Sequence, residues 1–210
     1  MVIPREAQKI TNSNELRNFR KTLALSEIQK DVLIGTLLGD GTLDGNRNYR
    51  LVISHSIKQR DYVNWKYEVF KNWTLSKPNY NPVNNSFRFR TVSHPKLTLL
   101  GELFYKDRIK IIPVSISKLL NPLVLAVWYM DDGNIRRQNN KIYGYYLNTQ
   151  SFTKSENLIL SQVLKDKFGL ESYVLKNKNG YRLYFGSKSK EIFPKIIAKH
   201  ILPSLQYKIR

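Results

Sequence analysis

Leu33-Ile34-Gly35-Thr36-Leu37-Leu38-Gly39-Asp40-Gly41 and Leu125-Ala126-Val127-Trp128-Tyr129-Met130-Asp131-Asp132-Gly133 are two apolar runs that stop on the same pair, Asp-Gly, 92 positions apart (132 minus 40). Each opens like a helix. Ser26-Glu27-Ile28-Gln29 has the form of a capping box, in which the serine and glutamine side chains satisfy one another's backbone N–H groups. Asn121 followed by Pro122 supplies a cap and a proline at the first helical position. Each run closes on glycine, the residue that tolerates a left-handed cap.

The text after each run also repeats. Residues 48–55 and 143–150 alternate and are rich in Tyr, Leu, Val and Ile, so both read as strands. Ser56-x-x-Gln59 and Thr153-x-x-Glu156 can each cap a following helix. The first such helix puts Tyr62, Trp65, Val69 and Phe70 on one face, the second Ile159, Val163 and Phe168. Another pair of strands follows in each half. Asn84-Asn85 or Asn85-Ser86 makes the turn before 87–90, and Asn179-Gly180, a hairpin signal, precedes 181–185. A third helix closes each half, around 97–104 and 190–200, with Pro194 disturbing the latter. The fold class is therefore α+β: two pseudo-symmetric αββαββα halves with antiparallel sheets, 26–118 and 119–210, after an N-terminal extension 1–25.

Charge selects the partner. The 210 residues hold 35 Lys plus Arg against 16 Asp plus Glu, a net charge of +19. Such an excess repels itself unless a polyanion offsets it. No basic amphipathic helix suits a membrane surface, and the longest apolar stretch, 123–130, is too short to span one. Nucleic acid is the expected partner. The absence of cysteine excludes disulfides, thiol nucleophiles and cysteine-based zinc sites, and His55, His94 and His200 lie far apart in sequence. Residues 1–21 carry glutamates and no apolar h-region, so they read as neither secretory signal nor transit peptide.

Alternation says how the sheets are used. In Phe87-Arg88-Phe89-Arg90 the rings pack inward and the arginines face out; Tyr181, Leu183 and Phe185 against Arg182 and Tyr184 repeat the pattern. A two-stranded ribbon fits the DNA major groove, where arginine and lysine read guanine. Arg88, Arg90 and Arg182, with Arg47, Arg50, Lys141, Lys176 and Lys178 on or beside these strands, are the DNA-contact candidates.

The two Asp-Gly runs resemble the two copies of the LAGLIDADG motif of homing endonucleases. The segments 147–153 and 202–208 are similar to those of the monomeric, two-repeat members encoded in organellar introns, and the likeness covers about 26–210. Departures occur at Val127 (Gly in the motif), Leu38 and Met130 (Asp) and Asp131 (Ala); register with Asp40-Gly41 selects Asp132 over Asp131.

The resemblance implies that the motif helices pack at the interface of the halves, Gly35 and Gly39 permitting close approach, with the sheets forming a DNA-binding saddle. Asp40 and Asp132 would hold Mg²⁺, with Mn²⁺ substituting and Ca²⁺ binding without cleavage, and the backbone near Gly39 and Asp131 completing the shell. Lys110 and Lys208 would sit near the attacking water, Gln59 and Gln150 in the same water network. The implied activity is a double-strand break with short 3′ overhangs in a long, non-palindromic DNA site, made by a monomer inside a mitochondrion or chloroplast and encoded there. Alternatives are a maturase of the same fold acting on intron RNA, and an inactive DNA-binding protein. Tyr129-Met130-Asp131-Asp132 also spells a reverse-transcriptase pair, but in a chain too short and on an apparent helix. A restriction-type triplet is excluded, because no acidic residue has lysine two places on.

Overall fold

Helices α1 (Asn14–Thr22) and α2 (Glu27–Leu38) open the described part of the chain, residues 13–210 of a computed structural model. Residues 1–12 of the expected extension lie outside it; α1 was not foreseen. The first repeat continues with β1 (Thr42–Asp44), β2 (Arg50–Ser56), α3 (Arg60–Phe70), β3 (Asn79–Asn81), β4 (Ser86–Arg90) and α4 (Pro95–Phe104). A small hairpin, β5 (Tyr105–Lys106) and β6 (Ile109–Lys110), and the one-turn α5 (Ile116–Leu119) follow. The second repeat is α6 (Pro122–Asp132), β7 (Gly133–Gln138), β8 (Lys141–Leu147), α7 (Lys154–Phe168), β9 (Tyr173–Asn177), β10 (Gly180–Phe185) and α8 (Phe193–Ile197). Both repeats are αββαββα, and both sheets are antiparallel in the same order, β1-β2-β4-β3 and β7-β8-β10-β9.

Contacts divide the chain differently. One compact unit holds 13–30 and 41–101 among the described residues, the other 31–40 and 102–210. All but the first turn of α2 therefore belongs with the second unit.

The capping signals form as read. Ser26 and Gln29 exchange hydrogen bonds of 3.2 and 3.0 Å, Asn121 Oδ1 accepts from the Val124 N–H at 3.0 Å, and Thr153 and Glu156 make a complete box. Ser56 instead caps a short 3-10 turn, Ile57–Gln59, and α3 starts after it with no side-chain bond from Gln59.

In the first unit Leu51, Ile53, Phe87 and Phe89 are buried while Arg88 and Arg90 are exposed, as the alternation requires. Helix α3 buries Tyr62, Val63, Lys66 and Phe70; Trp65 and Val69 are half-buried, so the buried face is rotated from the expected one. In the second unit every residue of α6 from Val124 to Asp131 is buried. Helix α7 buries Asn157, Leu160 and Leu164, and leaves Ile159 50% exposed, against expectation.

Two further expectations are corrected. Gly133 has φ −85° and ψ 147°, and Gly41 is not among the positive-φ glycines, so neither makes a left-handed cap. Gly133 is required for room: a Cβ there would fall 2.1 Å from Cδ2 of Tyr129. The closing helix of the second repeat is only Phe193–Ile197, because Pro194 lacks an N–H and suits only a first turn.

Candidate functional site

The site grows from a close approach of α2 and α6 inside the second unit. A Cβ on Gly35 would lie 2.7 Å from both the Val124 carbonyl oxygen and the Val127 Cβ; one on Gly39 would lie 2.5 Å from the Asp131 Cβ. Positions 35 and 127, and 39 and 131, are each 92 apart, so the motif copies meet at equivalent places. Their acidic ends then converge. Carboxylate oxygens of Asp40 and Asp131 lie within 4.8 Å, Asp131 buried and Asp40 exposed.

Asp132 bears the electrostatic cost of this crowding. Burial first, then Asp40 and Asp131, push its carboxyl up to about 8, with Lys110 and Lys208 opposing. An unfolded aspartate ionises near pH ~4. Between there and pH 8 the folded state binds more protons than the unfolded one, so this group's contribution to stability declines as pH rises and levels off above about 8. Melting temperatures of EDTA-treated protein should show that decline, and Asp132→Asn should flatten it.

The lysines reach the same helix ends by different routes. Lys110 Nζ donates to the Gly39 carbonyl at 2.7 Å; Lys208 Nζ donates to those of Met130 and Asp131 at 2.6 and 3.2 Å. Carbonyls at a helix C-terminus lack intrahelical partners and carry partial negative charge, which an ammonium satisfies. Lys110 comes from the β5–β6 hairpin, whose turn residues Asp107 and Arg108 have φ of 50° and 64°. Beyond it the Ile112 N–H donates to Glu156 Oε1 at 2.8 Å. The oxygens of Gly39 and Asp131 thus accept from lysines.

Asn148 was missed by sequence reading. Its N–H and side-chain amide both donate to the Asp132 carbonyl, at 3.1 and 2.8 Å, and Gln150 donates to its Oδ1 at 3.4 Å. Gln150 therefore joins Asp132 through Asn148. The repeated strand-exit pattern was the available signal.

Within the second unit three carboxyl groups, backbone carbonyls and an amide offer oxygen donors to a cation. That chemistry fits a hard divalent cation such as Mg²⁺.

The remaining candidates lie on the sheets. In the first unit Arg88 and Arg90 stand opposite Ser54 and Val52 on the outward face, Arg47 is exposed between β1 and β2, and Gln59 is half-buried. Arg50 is engaged by Asp44 at 2.7 Å. In the second unit Arg182 lies over the Tyr146 ring at 3.8 Å and Arg136 over Tyr184 at 5.3 Å. Lys141 and Lys178 occupy hairpin ends. Lys176 pairs with Tyr181, which puts it on the opposite face from Arg182; nearness in sequence had grouped residues that strand parity separates.

Residues 30–193 match the LAGLIDADG DNA endonuclease family. The chain belongs to that family. A relative from Wickerhamomyces canadensis, probable intron-encoded endonuclease 1, is 31% identical over 94% of this chain and 91% of its own length. The homing endonuclease I-WcaI, solved bound to its DNA recognition sequence, superposes with a TM-score of 0.88 at 28% identity, over 100% of this chain and 99% of that one. Cytochrome b mRNA maturase bI2 of Saccharomyces cerevisiae is 24% identical over 95% of this chain and 51% of its own length. Within the LAGLIDADG family this chain thus has endonuclease and maturase relatives.

Proposed function

We propose that this protein is a site-specific homing endonuclease that makes a metal-dependent double-strand break, with short 3′ overhangs, in a long, non-palindromic DNA site. The observation that carries the reading is the doubled arrangement of lysine, carbonyl and aspartate at the ends of α2 and α6. Two such sets match the two strands of a duplex, so one chain suffices and the working form is a monomer.

Asp40 and Asp132 are the ligands we assign to Mg²⁺ or Mn²⁺, with the Gly39 carbonyl and Asp131 beside them and Ca²⁺ supporting binding only. When bound, the ion would neutralise the carboxylates and acidify water. Lys110 and Lys208 hold positive charge where a phosphate gains negative charge during displacement. Asn148 and Gln150 fix the end of α6 and orient water beside Asp132; Gln59 is the candidate for that role from the first unit. Arg47, Arg50, Arg88, Arg90, Lys141, Lys178 and Arg182 bind the duplex, and Lys176 is limited to a peripheral phosphate. The intron-encoded and cytochrome b relatives support action inside a mitochondrion or chloroplast.

Incubation with the intronless host gene and Mg²⁺ tests the reading: a single double-strand cut is expected. Binding without cutting would mark an inactive DNA-binding protein. The maturase relative favours one second reading, and faster splicing of intron RNA would point to it. Lys110→Ala and Lys208→Ala should lower the single-turnover rate more than the affinity. With about eight phosphate contacts, log affinity should fall against log salt with a slope near ~ −7. A flat salt response would contradict the charged interface.

A further inference from the structure

Lys208 comes from the closing segment of the second repeat. It ends a 3-10 turn, Pro203–Lys208, and is buried. Three side chains of the second repeat grip the backbone of this closing segment. Tyr129 Oη donates to the Lys208 carbonyl at 2.6 Å, Tyr145 Oη donates to that of Ile209 at 3.3 Å, and the Arg137 guanidinium donates to that of Arg210. Tyr129 is fully buried, edge-on to Phe193 at 4.9 Å and to Tyr145 at 6.2 Å, in the space that Gly133 leaves open.

Lys208 is thus bracketed by α6. Its ammonium holds the carbonyls of Met130 and Asp131, while its own carbonyl is held by the hydroxyl of Tyr129 on the preceding residue of the same helix. The arrangement has no counterpart in the first motif copy, where Leu37 (129 minus 92) occupies the equivalent position without a hydroxyl. Lys110 depends instead on its hairpin and on the Ile112–Glu156 bond.

We infer that Tyr129 and Tyr145 are positioning residues that latch Lys208, and only Lys208, onto the end of α6, so that they govern the cutting of one DNA strand. The inference rests on the nuclease reading, in which each lysine serves one strand. A ring without its hydroxyl keeps the packing but orphans a buried carbonyl, which loosens the segment that delivers the ammonium. The other lysine does not feel it. The latch therefore converts a packing contact into a strand-specific rate.

The test uses Tyr129→Phe, Tyr145→Phe and the double variant of the full chain. Hydrogen exchange of amides 204–210 is read without DNA; cleavage of a duplex labelled on either strand is read in Mg²⁺. We expect faster exchange in 204–210, and accumulation of DNA nicked always in the same strand. A lost buried hydrogen bond corresponds to about tenfold in the affected strand's rate, with the other strand within about twofold of wild type. Should Tyr129→Phe fail to fold, Tyr145→Phe carries both readouts. Unchanged exchange overturns the latch. Faster exchange with both strands slowed equally, or neither slowed, overturns the positioning role. A wild-type protein that cuts neither strand overturns the nuclease reading, and the strand claim with it, while the exchange result still reports whether the tyrosines hold the segment.

Discussion

Asp132→Ala, or Asp40→Ala, should abolish double-strand cutting while DNA binding persists. A ligand to a catalytic cation contributes several kcal/mol to the transition state, and each ~1.4 kcal/mol is a factor of ten, so the loss should be about 10³-fold or more. Binding should be nearly unaffected. Asp132 is crowded by Asp40 and Asp131 and buried enough to hold its proton up to about pH 8. Without metal that carboxyl is largely neutral below pH 8, so its loss should leave affinity in EDTA close to that of wild type. Gel-shift binding without metal and plasmid cleavage with Mg²⁺ separate the two effects. Full double-strand cleavage by either variant would remove the assignment.

Gly35→Ala should destabilise the protein although helix propensity argues the opposite. Exchanging an interior helical glycine for alanine gains about 1 kcal/mol on propensity alone. Here the new methyl would meet a backbone oxygen and the Val127 Cβ, both at 2.7 Å. Overpacking of that kind costs about 1–3 kcal/mol or more, and backbone cannot rotate away as a side-chain end can. The contact should win, lowering the melting temperature by several degrees at about 2–4 °C per kcal/mol. Val127→Gly in the same chain should restore only part of the loss, because the Val124 carbonyl stays in place. An unchanged melting temperature for Gly35→Ala would mean that the helices are farther apart than described.

What the sequence disclosed was local. The boxes at Ser26–Gln29 and Thr153–Glu156 and the Asn121-Pro122 start are spelled within four residues, and they set the helix starts correctly. The inward rings and outward arginines of β4 follow from a period of two, which no tertiary contact can shift. Helix α7 defeated the same approach. It offers apolar side chains at 158, 159, 160, 163, 164 and 168, enough for more than one stripe, and the real core face includes Asn157. That amide is buried because Thr149 Oγ1 donates to it at 2.5 Å and it donates to the Phe152 and Thr153 carbonyls at 3.2 and 3.0 Å. Polar burial of this sort has no periodic signature.

The site was legible as a set of acids and lysines and not as a geometry. Asp40, Asp132, Lys110 and Lys208 were chosen by likeness to a family motif, and they meet at one place in the second unit. The hairpin that delivers Lys110 was invisible, since Asp107-Arg108 is no standard turn pair for two positive φ values. Asn148 lies within 147–153 yet acts on the main-chain carbonyl of Asp132, far from it in sequence, a role that residue type alone does not announce.

The allegiance of 31–40 to the second unit constrains how such proteins can be recombined. A chimaera joined between the repeats would import a foreign copy of that segment into a bed shaped by Val124, Val127 and Asp131. Functional shuffling should therefore require donors matched at those three positions, or a crossover pair that exchanges 31–40 together with everything after 101. Lineages that trade target specificity are then expected to swap sheets while inheriting this seam intact.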